Sequence, residues 1–115
     1  MSELVHYKNK LDGFKIMTIF IGGGTPSLIE TKYIYEIINY CKQNFKIEEN
    51  AEITIETNPG TLNYGKLLAY KNMGINRLSI GLQAWQKKLL HKIGRIHNLE
   101  EFLENYKEAR KAGFN

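Results

Sequence analysis

The chain has 115 residues, 43% of them hydrophobic, which suffices for one small core and leaves no stretch with the composition of disorder. Its net charge of +4 is scattered over lysines on the predicted helices without a long run of like charge, so nucleic acid is not an expected partner. One cysteine, Cys41, excludes an internal disulfide, and no segment has the length of a membrane span or the apolar core of a signal peptide; a cytoplasmic protein is expected.

Residues 16–21 are rich in β-formers and almost continuously apolar, which predicts a strand buried on both faces. The run stops at Gly22, Gly23 and Gly24, which lack a Cβ and so admit φ > 0 and close approach to a bound molecule, and Pro26 stiffens the exit toward a helix. Ile34, Ile37, Ile38, Cys41 and Phe45 fall on one stripe of that helix, where Cys41 reads as core.

A second strand, residues 53–57, ends in Asn58-Pro59-Gly60, a turn signal, and residues 62–73 predict a helix stopped by Gly74. A third strand covers residues 77–82 and ends at Gln83, and residues 86–93 read as a short helix. The last helix takes Asn98 as N-cap with Glu101 three residues on, carries Phe102, Leu103, Tyr106 and Ala109 on one face, and stops at Gly113.

Strands alternating with helices over short connections predict an α/β fold of right-handed βαβ units and a parallel sheet, in which ligands bind at the carboxyl ends of the strands. Those ends carry Gly22 to Thr25, Glu56 to Asn58, and Gln83. Three strands cannot close a barrel, so the sheet should have open edges and the chain reads as cut at both ends.

Each rim residue has a bland reading: a glycine turn without a ligand, a solvated carboxylate, an exposed amide. Their shared rim favours a ligand, with the carboxylate suited to ribose hydroxyls and the turn's carbonyls to an ammonium group, the two ends of an aminoacyl nucleoside. The glycine run is neither a dinucleotide fingerprint nor a P-loop, because no G-x-G-x-x-G opens a helix and no Gly-Lys-Ser/Thr follows. Arg95 either caps a helix or grips a carboxylate through its planar fork. His91 and His97 are six apart without a Cys or acid to complete a metal set. Trp85, close after Gln83, either lines a pocket or is buried against a neighbouring helix, and burial is the favoured expectation.

Four blocks in order, T-I-F-I-G-G-G-T-P-S, E-I-T-I-E-T-N-P-G-T, N-R-L-S-I-G-L-Q and L-H-K-I-G-R-I-H-N, resemble the radical S-adenosylmethionine superfamily. Within it they look specifically like the branch of oxygen-independent coproporphyrinogen III oxidases and radical-type heme chaperones. The resemblance implies a partial TIM barrel in which Gly23, Gly24 and Thr25 contact the amino-acid part of S-adenosylmethionine and Glu56, Gln83 and Arg95 complete the cofactor-binding set. The G-R-I-H form and Trp85 look more like the heme chaperones than the oxidases, and heme or porphyrin is the partner implied for an intact protein.

The sequence departs from the family in lacking the C-x-x-x-C-x-x-C loop whose thiolates hold a [4Fe-4S] cluster that binds and reductively cleaves S-adenosylmethionine. Residues 1–115 are accordingly expected to be a partial core domain, without the cluster-binding loop, the later strands or the C-terminal domain, and inactive in isolation. The alternative is a non-enzymatic module that pairs its open sheet edges with a partner or binds a nucleoside weakly.

Overall fold

The computed structural model describes residues 2–94 and 99–114. Among them α1 (Ser2–Lys8) leads into β1 (Lys15–Ile21), a 3-10 turn (Pro26–Leu28), α2 (Thr31–Asn44) and β2 (Lys46–Thr57). There follow α3 (Tyr64–Met73), β3 (Arg77–Ile80), α4 (Lys87–Lys92) and α5 (Leu99–Lys111). The strands form one parallel sheet in the order β1-β2-β3, the α/β arrangement expected from the alternation of elements.

Register sorts the side chains into two faces. The row Ile21–Ile55–Leu78 lies on the side covered by helices, whereas Phe20–Thr54–Arg77 lies on the other. Ile34 and Ile38 of α2, Leu67, Tyr70 and Met73 of α3, and Ala109 of α5 form one core with Ile53 and Ile55. Full burial of an aliphatic side chain such as Ile55 or Leu67 contributes about 1.5–3 kcal/mol. Cys41 is buried on the α2 stripe, as expected of a core residue, and burial pushes its thiol above the ordinary value of 9.0.

Several expectations need correction. β1 is not buried on both faces: Met17 is 71% and Phe20 60% exposed, because β1 is an edge strand and the core helices lie against one side of the sheet. β2 begins at Lys46, seven residues before Ile53. Its polar start gives no apolar signal, yet Lys15↔Lys46 and Ile16↔Ile47 are paired; the register then shifts, so that Thr18 meets Glu52.

α3 starts at Tyr64 rather than at Leu62, with the Asn63 side chain accepting from Lys66 N at 2.9 Å. β3 ends at Ile80, two residues short of Leu82. On α5 only Ala109 of the expected stripe is buried; Leu103 and Tyr106 are exposed, and Asn105 takes the inward place by donating to Leu62 O and accepting from Gly60 N. The proposed cap Asn98 lies outside the described residues.

Candidate functional site

The alternation that turns Ile53 and Ile55 toward the helices turns Glu56 to the opposite face at the tip of β2, beside Ser79 of β3. Past the tip of β1 the chain turns through Gly23 and Gly24, whose φ of 84° and 60° are left-handed, so that an L side chain is disfavoured at both. Gly22, by contrast, has no left-handed φ. Gly23 N donates to Glu56 Oε2 at 3.3 Å, which ties the glycine turn to the second strand.

Beyond β3, Gln83 is the one non-glycine residue with positive φ among those described, at 68°. Such a conformation costs energy for a side chain of this kind and is found preferentially at functional sites. Gly24, Thr25, Pro26, Glu56, Thr57, Asn58, Ser79, Gly81 and Gln83 line one cleft of about 160 Å³ at the carboxyl ends of the strands. The expected rim residues from three separate segments therefore meet in one place. Arg95 lies outside the described residues.

A hydrogen-bond network supports the cleft from beneath. Asn58 Nδ2 donates to Thr25 Oγ1 at 3.2 Å, and Asn58 N donates to Ser27 Oγ at 3.3 Å. Ser27, fully buried, shares a 2.6 Å hydrogen bond with Thr61, which in turn donates to Asn58 O. Lys66 Nζ donates to Ser27 O, and burial pulls this ammonium below the ordinary lysine value of 10.5. The turns after β1 and β2 are thus bolted to each other and to the first turn of α3.

Ser27, Thr61, Lys66, Ser79 and Gly81 were not among the residues that the sequence marked. Ser27 and Thr61 close the first and second of the quoted blocks, which was the only signal for either. Trp85, expected to be buried, is 62% exposed, since it sits in the loop past β3 rather than on an element that packs inward.

The cleft is chemically suited to an aminoacyl nucleoside. It offers the Glu56 carboxylate, the amides of Asn58 and Gln83, the hydroxyls of Thr25 and Ser79, and backbone made accessible by Gly24. The chain does not fit an iron-sulfur cluster: its single cysteine lines an apolar pocket with Leu4, Leu11, Ile16 and Phe45, and no group of three His, Cys, Asp or Glu suited to a metal occurs among the described residues.

A family model for the radical SAM superfamily matches residues 3–115. The chain belongs to the radical SAM superfamily. Among curated relatives of this superfamily chain, the heme chaperone HemW of Buchnera aphidicola subsp. Acyrthosiphon pisum is 45% identical over 100 residues, 87% of this chain and 27% of that protein. HemW of Escherichia coli K12 is 38% identical over 103 residues, 84% of this chain and 27% of the relative.

The solved structure of coproporphyrinogen III oxidase (HemN) from Escherichia coli, described as a radical SAM enzyme, superposes with a TM-score of 0.89 at 29% identity, covering 98% of this chain and 26% of that one. The archaeal Elp3 of Methanocaldococcus infernus shares the fold, with a TM-score of 0.63 at 18% identity over 88% of this chain and 28% of the other. The chain therefore spans about a quarter of the length of these relatives. No helix among the described residues is long and apolar enough to cross a membrane.

Proposed function

We propose that the strand-tip cleft is the S-adenosylmethionine pocket of a radical SAM protein of the heme chaperone kind, working on heme or a porphyrin in the cytoplasm. The observation that carries this reading is the meeting of the glycine turn, Glu56 and Gln83 in one cleft, with Gly23 N held on Glu56 Oε2. Gly23, Gly24 and Thr25 receive the amino-acid part of the cofactor, Glu56 accepts from the ribose hydroxyls, Gln83 closes the third side, and Arg95 grips the carboxylate. S-adenosylmethionine, when bound, supplies the adenosyl group of the family's chemistry; the residues of this chain bind and orient it.

Residues 1–115 form part of the core domain, and the thiolates for the [4Fe-4S] cluster come from other sequence, since Cys41 cannot supply them. The chain by itself has no radical activity. An iron-reconstituted sample that shows cluster absorbance and cleaves S-adenosylmethionine contradicts this.

Calorimetric titration of the 115-residue chain with S-adenosylmethionine, and separately with nucleotide phosphates, tests the pocket. S-adenosylmethionine is expected to bind and the phosphates not, with Glu56→Gln weakening binding about tenfold through loss of a charge-assisted hydrogen bond. Equal or tighter binding of the phosphates sinks the reading. A second reading, pairing of the β3 edge with a strand from a partner, is favoured by the apolar groove of Leu78, Ile80, Phe102, Tyr106 and Phe114 beside that edge. Sedimentation showing a monomer that also binds S-adenosylmethionine decides for the first reading.

A further inference from the structure

Two glycines at the cleft have no left-handed φ to explain them. Gly22 follows β1 directly and Gly81 follows β3, and neither is among the residues of positive φ. What they share is the space that their missing Cβ leaves. A Cβ on Gly22 would stand 2.5 Å from Phe20 Cε1 and 3.0 Å from Glu56 Oε2. A Cβ on Gly81 would stand 2.6 Å from Gln83 Nε2 and 3.4 Å from Asn58 Oδ1.

Carbon cannot approach carbon or nitrogen to such distances, so in each case something must move. The crowded atoms are the far ends of side chains, not backbone. The ring of Phe20 is exposed and free to swing, and the Gln83 amide is likewise at the surface. A methyl added at Gly81 therefore displaces the Gln83 amide, and one added at Gly22 displaces the Phe20 ring and presses on the Glu56 carboxylate, both at little cost to the fold, while the unfolded chain loses freedom, a change that favours folding.

We propose that Gly22 and Gly81 are positioning residues of this cleft: each leaves the room in which the neighbouring polar side chain, Glu56 or Gln83, lies across its strand tip toward the ligand. The proposal deepens the S-adenosylmethionine reading and rests on it for the identity of the ligand. The backbone at Gln83 sharpens the effect, because its left-handed φ of 68° fixes the direction in which the side chain leaves the chain. With that direction fixed, the amide reaches the cleft by crossing Gly81. At the other tip, pressure on Glu56 Oε2 perturbs the 3.3 Å hydrogen bond that this atom accepts from Gly23 N.

The test is a double-mutant cycle on the 115-residue chain with Gly81→Ala, Gln83→Ala and the pair, read by calorimetric titration with S-adenosylmethionine and by proton–nitrogen NMR of the free chain. Gly81→Ala is expected to unfold at the wild-type temperature or slightly above, to shift the Gln83 side-chain amide signals, and to weaken binding about tenfold, an effect that vanishes in the Gln83→Ala background. Gly22→Ala is expected to shift the Gly23 amide proton and speed its exchange. An equal loss of binding in both backgrounds, or Gln83 amide signals unmoved by Gly81→Ala, overturns the proposal. If the wild-type chain does not bind S-adenosylmethionine, the reading of the ligand fails by itself, and the NMR signals of the free chain still decide whether the two glycines position their neighbours.

Discussion

The face of the sheet under the helices and the rim at the strand tips are built on opposite terms. On the helix side Ile34, Ile38, Ile55, Leu67 and Ile75 are almost wholly excluded from water and hold one another by dispersion and apolar burial. At the rim the side chains are small or polar, the backbone enters left-handed conformations at Gly23, Gly24 and Gln83, and the contacts are hydrogen bonds that reach across more than thirty residues of sequence. The first region holds the fold and the second arranges groups for a ligand. Ser27, Thr61 and Lys66 join them, since Ser27 under the cleft is hydrogen-bonded both to Thr61 and, through its carbonyl, to Lys66 on the first turn of α3.

If the two regions are separable, damage to each should register in a different measurement. The largest effect belongs to Leu67→Ala: its side chain is fully buried, and its truncation is expected to lower the unfolding free energy by about 2–5 kcal/mol in urea denaturation. Binding of S-adenosylmethionine by the folded fraction should be unaltered. Glu56→Gln should do the reverse, losing binding with stability held within about 0.5 kcal/mol. A Glu56 variant that unfolds as readily as Leu67→Ala would erase the distinction.

A smaller effect is expected at the boundary. Asn63→Ala removes the cap of α3 and should cost about 1 kcal/mol of stability in the same denaturation series. Because α3 also carries Lys66, whose ammonium holds Ser27 O, a loss of ligand affinity beyond that of the unfolded fraction would place the start of α3 with the rim rather than with the core.

The smallest effect is one of pH. Burial raises the thiol of Cys41 above 9.0, so the native chain keeps that proton to higher pH than the unfolded chain does. Its contribution to stability is whole below pH 9.0 and is lost as pH rises through the raised value. Tyr70, raised above 10.0 by burial, acts in the same direction, whereas Lys66, lowered from 10.5, acts in the opposite one. The difference in stability between the chain and Cys41→Ala isolates the thiol and should shrink above pH 9.0; a difference that stays constant would mean that the thiol is not desolvated.

Much of this is legible in the sequence itself. Apolar runs that end in Gly22, Glu56 and Gln83 gave the strands, the parallel sheet and the shared rim, because strand ends in a βαβ fold all point to one side. The illegible parts depend on neighbours distant in sequence. Lys46 joins a strand because Lys15 lies beside it, and nothing in its own segment announces that. Met17 and Phe20 look like core by composition but lie on an edge strand whose covered face is the other one. Gly81 reads as an ordinary strand-end glycine until the Gln83 amide is seen to occupy the place of its Cβ. Asn105 reads as a surface residue of α5 until Gly60 N and Leu62 O are found beside it.

The most direct test of the central claim is a map of amide chemical-shift changes on titrating the 115-residue chain with S-adenosylmethionine. Changes concentrated at Gly22 to Thr25, Glu56 to Asn58 and Gly81 to Gln83, with the amides of Leu67 and Tyr70 unmoved, are the predicted result. Changes centred on the helix side, or on the apolar groove beside β3 with the strand tips silent, would contradict it.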